Sequence, residues 1–133
     1  MNSVFKNEYV EISYDDKLKI LLIRWKNKEL SFEEYQQPFL FGLKLIKEKP
    51  IVNFISDIRE QSVITLNDRK WLQDVVIPEA IAYGLKRVII ITNINIFKQF
   101  YVNNIFQSTK IFGVPFKMFN SIEKATNWLL KSE

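Results

Sequence analysis

The run Arg87-Val88-Ile89-Ile90-Ile91-Thr92 constrains this chain more than any other segment. Five consecutive β-branched side chains, Val88 to Thr92, alternate to opposite sides of a strand, so both faces of that strand require apolar cover. A strand buried on both faces belongs to a parallel or mixed sheet with helices packed on it, which places the chain in the α/β class. The rest of the sequence agrees with this. Tyr9-Val10-Glu11-Ile12-Ser13-Tyr14 alternates, Leu18 to Trp25 is an apolar strand pattern, and Asp15-Asp16-Lys17 between them suits a tight connection, so the N-terminal part reads as a hairpin.

Helices then alternate with strands. Ser31 with Glu34 three residues on forms a capping box, and Phe32, Tyr35, Phe39, Leu43 and Ile46 recur at helical spacing as far as Pro50, with Pro38 predicted to kink or restart this first helix. Ile51 to Asp57 is a buried strand ending on an acid. Thr65 or Asn67 caps the next helix, with Trp71, Val75 and Ala82 on its inner face, a division at Pro78 and Gly84 as its end. Arg87 to Thr92 is expected to be the central strand. A third helix is expected from Asn93 or Asn95 to about Phe112, then a short strand Val114 to Phe119, and a last helix carrying Ile122, Ala125, Trp128 and Leu129. The expected order is ββαβαβαβα. That is a mixed, mainly parallel five-stranded sheet flanked by four helices in a single domain spanning residues 1–133.

Composition enters as an argument about chemistry. Histidine and cysteine are both absent, which removes imidazole bases, thiol nucleophiles, ordinary structural zinc sites and disulfides. The only glycines are Gly42, Gly84 and Gly113, each at a helix body or end, so neither a dinucleotide fingerprint nor a P-loop is present. No catalytic residue, metal ligand or cofactor is expected on these grounds. The net charge of +4 is small; its surplus lies in the second half, where Lys86, Arg87, Lys98, Lys110 and Lys117 occur between Ala80 and Ile122 with no acid. Scattered over several elements, these cations read as a solvated surface, and nucleic acid is not an expected partner. The apolar runs fall far short of the ~20 residues a membrane-spanning helix needs, and the first residues lack a signal peptide's apolar centre, so a cytoplasmic location is expected.

Three places carry candidate function. Sites in open α/β sheets form at the carboxyl ends of parallel strands, which singles out Asp57, Arg59 and Thr92 as a polar site. A receiver-type phospho-accepting aspartate occupies a comparable position, but the acids that should follow the first strand lie here in a hairpin, and the Lys-Pro that should close the fifth strand is missing. Asp57 paired with Arg59 is the structural alternative. Ser62 and Thr65, between Asp57 and the second helix, are candidate phospho-regulatory residues; a phosphate there would add about −1.5 to −2 charges beside helix-terminal amides, whereas Thr65 as a simple cap is the alternative. On the third helix, Phe97, Tyr101, Ile105 and Phe112 form the natural core stripe, leaving Ile96 and Phe100 on one flank and Val102 and Phe106 on the other. That surplus fits a homodimer or other protein contact, burial by neighbouring helices and Tyr83, or an apolar ligand between helix and sheet.

As an ordered set, Ile23-Arg24-Trp25, Ser31-Phe32-Glu33-Glu34-Tyr35, Ser56-Asp57-Ile58-Arg59, Asp68 with Trp71, Pro78 to Gly84, and Ala125-Thr126-Asn127-Trp128-Leu129 resemble the SpoIIAA-like bacterial domains of the STAS/CRAL-TRIO type. The resemblance covers nearly all the chain from about Tyr9 and implies a STAS-like α/β fold. In anti-sigma-factor antagonists of that type, a serine at the start of the helix after a central strand is phosphorylated by a partner kinase. It stands in an Asp-Ser-Ser/Ala-Gly-type segment that this chain lacks, so Ser62 and Thr65 match by position only. The function so implied is a non-enzymatic regulatory or protein-interaction domain. The CRAL-TRIO side implies instead a small-molecule or lipid binder with a site near Asp57.

Overall fold

The computed structural model describes residues 1–93 and 113–132. Its centre is a six-stranded sheet in the order β1-β2-β3-β4-β5-β6, made of Asn2–Lys6 (β1), Val10–Asp15 (β2), Ile20–Trp25 (β3), Asn53–Asp57 (β4), Arg87–Ile91 (β5) and Phe116–Phe119 (β6). The first two pairings are antiparallel and the last three parallel. The α/β class therefore holds, with two differences from expectation. The sheet has six strands, not five, because Asn2–Lys6 pairs with β2 across a bulge between Ser3 and Phe5. This strand is exposed along its whole length, so it carries no apolar pattern by which to recognise it. β5 is interior, but the middle of the sheet is β3 and β4.

Three helical regions are described. Phe32–Glu48 (α1) starts on the Ser31 capping box: Ser31 Oγ accepts from the Glu34 backbone N–H at 3.2 Å, and the Ser31 N–H donates to Glu34 Oε1 at 3.0 Å. The helix runs through Pro38 without interruption. The ring forfeits one backbone bond, but Pro38 is buried on the inner face with Tyr35, Phe39, Gly42, Leu43 and Ile46, and that packing holds the helix together. The second region comprises Leu66–Trp71 (α2), a turn of π-helix at Leu72–Val76, and Ile77–Ala82 (α3). Pro78 lies in the first turn of α3, where its missing N–H costs little, and the wider turn before it relieves the clash its ring would make with the preceding turn. That extra residue also moves the inner face. Asp68, Leu72, Val76, Ile77 and Ala80 are buried, while Val75 and Ala82, expected inside, are exposed. Gly84, at φ +114°, ends the region. Ile122–Lys131 (α4) is capped by Ser121 and buries Ala125 and Leu129. The helix expected over about 93–112 lies outside the described residues.

The sheet separates two cores. Leu21, Ile23, Trp25, Phe54, Val88 and Ile90 meet α1, the π turn and α3 on one face. Ile20, Leu22, Ile55, Ile89 and Ile91 meet Ala125 and Leu129 of α4 on the other. Strand β5 thus alternates between both cores, as its sequence requires. The crossovers β3-α1-β4 and β4-α2-α3-β5 step the same way along the sheet with their helices on one face, the outcome of uniform handedness. Their β-to-α loops, residues 26–31 and 58–65, consequently sit side by side at the carboxyl ends of β3 and β4.

Candidate functional site

At the end of β4, Asp57 is 2% exposed and engaged on both carboxylate oxygens. Arg59 Nε donates to Oδ1 at 3.0 Å, its Nη2 donates to Oδ2 at 2.7 Å, and its backbone N–H donates to Oδ1 at 3.2 Å. The two-point geometry is the strong form of an arginine–carboxylate pair, and Asp57 raises the pKa of the guanidinium chiefly through this hydrogen bonding. The structure therefore brings Asp57 and Arg59 together as a locking contact of the loop. Thr92, buried at the end of β5, donates to the Asn93 carbonyl at 3.2 Å and lines a separate open groove of about 310 Å³ with Met118, Phe119, Asn120 and Lys124.

Thr65 caps α2: its hydroxyl accepts from the Asp68 N–H at 3.1 Å. The Ser62 hydroxyl, three residues earlier, donates to Asn27 Oδ1 at 3.2 Å across to the neighbouring loop. Ile96, Phe100, Val102 and Phe106 lie outside the described residues.

A second constellation stands where loop 26–31 meets loop 58–65. Lys26, Lys28, Leu30, Tyr35, Gln61 and Asp68 line a crevice of about 10 Å³, together with Ser62, Val63 and Ile64. Asp68 is 3% exposed, and its carboxyl is held above the ordinary carboxylate value by burial, an effect partly offset by hydrogen bonding from Thr65. The two lysines are committed elsewhere: Lys26 Nζ donates to the Asn7 carbonyl at 2.9 Å, and Lys28 Nζ pairs with Glu8 at 2.8 Å. Beside the crevice, Val63 and Leu66 are 73% and 69% exposed, and Phe32, which opens α1 and meets Trp71 edge-on, is 44% exposed.

Sequence reasoning reached Asp57, Ser62 and Thr65 but not this crevice. One signal was available. Asp68 lies at helical spacing from Leu72 and Val76, so it is an acid on an apolar stripe, and a buried carboxylate follows from that placement. Gln61, Lys26 and Lys28 carry no such mark, because the loops meet only in space.

No protein-family model matches this chain, and neither a curated protein nor a solved structure matches it. Among the described residues no group of three or more acids is placed to hold a metal ion. Among them too, no helix is long and apolar enough to cross a membrane.

Proposed function

We propose that this chain is a non-enzymatic, cytoplasmic regulatory domain of the STAS-like type that works by protein contact, a second copy of itself included. The observation that carries this reading is the exposure of Val63 and Leu66, at 73% and 69%, on the segment joining interior strand β4 to α2. Aliphatic side chains held outward on either side of a formed helix cap lose nothing by being covered, and covering them contributes about 25 cal/mol per Å² of apolar surface. The resemblance makes this same segment the regulated one. Asp57, the carboxylate best placed for chemistry, has both oxygens engaged by Arg59, which also supports a binding role over a catalytic one. Both hydroxyls in the segment are engaged, that of Thr65 in the cap and that of Ser62 with Asn27, and both stay candidates for modification; an intact mass one phosphate heavier from the native host, mapped to either residue, would support this.

Sedimentation velocity over a wide concentration range tests the contact reading. Reversible association weakened by Val63→Asp or Leu66→Asp is the expected result, and both positions are exposed enough that folding should survive. The same measurement on Phe106→Asp tests the contact expected from the sequence of the 96–106 segment. A chain that stays monomeric at every concentration overturns self-association, and turnover of any substrate abolished by replacing one carboxylate overturns the non-enzymatic role.

A further inference from the structure

The outer face of the 66–82 region carries side chains in a definite order. Asp68, Leu72 and Val76 are buried on its inner side, while Leu66, Lys70, Asp74 and Ala82 are exposed and Pro78 is half-buried. Leu66, Lys70, Asp74, Pro78 and Ala82 each follow the last by four residues, so they make one outward stripe. Lys70 and Asp74 stand on successive turns, yet among the described residues neither is in an ion pair. The lysine precedes the acid, the poorer order for such a pair, and the π turn that begins at Leu72 separates them. The stripe thus presents one charge of each sign, with Leu66 beyond the lysine and Pro78 beyond the acid.

A row in this order is complementary to its own reverse. Laid antiparallel on a second copy about a two-fold axis level with Leu72, it sets Lys70 of each copy against Asp74 of the other and Leu66 against Pro78, the reciprocal pairing that a two-fold contact requires. Charge disfavours the other registers. An axis at Lys70 or at Asp74 brings like charges together, and so does a parallel alignment.

We propose, resting on the protein-contact reading above, that a second copy of this chain covers the stripe in this antiparallel register, with two reciprocal Lys70–Asp74 ion pairs about the axis. A contact made by one helical face about 25 Å long falls at the small end of specific interfaces, so the association is weak and reversible.

The test is sedimentation velocity of the full chain carrying Lys70→Glu, of the chain carrying Asp74→Lys, and of an equimolar mixture of the two. Each variant alone sets like charges together on both sides of the axis and should self-associate about tenfold more weakly than the unaltered chain. The mixture should recover the unaltered affinity, because each variant supplies the charge the other lacks. Both positions are exposed; should either single variant fail to fold, the chain carrying both changes, which restores the pairs in reverse, should associate like the unaltered one and decides the matter. Association that Leu66→Asp weakens but that the mixture does not recover overturns this arrangement while leaving the contact reading standing. Association indifferent to both charge changes overturns it as well. A chain that is monomeric at every concentration overturns it and leaves the stripe to a different protein.

Discussion

Replacing Gly42 by alanine should stabilise the protein, although a first look at the geometry suggests the opposite. Gly42 lies on the buried face of α1, and a Cβ built there comes within 3.0 Å of Leu21 Cδ2 on β3. Overpacking a core costs about 1–3 kcal/mol when the surroundings cannot yield. Here the crowded atom is the far end of a flexible side chain. Leu21 also borders an apolar cavity of about 20 Å³ shared with Gly42, Phe39, Leu43, Val76 and Ala80, into which its methyl can turn. Against the residual strain stand about 0.8–1.0 kcal/mol from removing a glycine from a helix interior and up to about 0.8 kcal/mol from burying one more methyl. The net gain is about 1 kcal/mol, or about 3 °C in melting temperature for a domain of this size. Thermal and urea unfolding followed by circular dichroism measures it directly. Gly42→Leu, too large for the cavity, should destabilise by about 2 kcal/mol. A lower melting temperature for Gly42→Ala would refute the reasoning, showing that Leu21 has no room to move.

Other outcomes follow from the loops. Arg59→Ala leaves Asp57 buried without its partner and should cost about 2–3 kcal/mol in urea unfolding, while Asp57→Asn, which keeps a hydrogen-bonding group in place, should cost less. Thr65→Ala removes the cap of α2 and should lower stability by about 1 kcal/mol; Thr65→Ser should restore most of it. Asp68 supplies a pH signature. Because burial lifts its carboxyl above the ordinary value of 3.8, the folded chain binds more protons than the unfolded one between that value and the raised midpoint, so this group's contribution to stability falls as pH rises through that window. Stability measured from the ordinary carboxylate range upward should therefore decline less in Asp68→Asn than in the unaltered protein, and parallel curves would show that Asp68 ionises as freely as in water.

How much of this was legible in the sequence depends on how local the cause is. The Ser31 capping box, the Thr65 cap, the stop at Gly84 and the two-faced burial of β5 are set within a few residues, and each was readable. The strand Asn2–Lys6 was not, since it is an exposed edge strand held by hydrogen bonding to β2, with Phe5 meeting Phe41 at a ring separation of 5.4 Å. The inner face of the 66–82 region was misjudged because the π turn ahead of Pro78 adds a residue that a uniform helical period does not contain. Pro38, expected to kink or restart the first helix, is carried within it because burial on α1 outweighs one lost bond. At the site, Asp57 and Arg59 are two residues apart and so were found together, whereas Asp68, Gln61 and Lys26 come from separate segments and share only a meeting point in three dimensions.

The sequential arrangement of the strands has a consequence for biogenesis. Each strand hydrogen-bonds to the one synthesised just before it, so an emerging chain can lay down its sheet from one edge to the other without reserving a gap for a later insertion. After β3 and again after β4, the crossover helix that packs on the newest strand leaves the ribosome immediately before that strand's next neighbour.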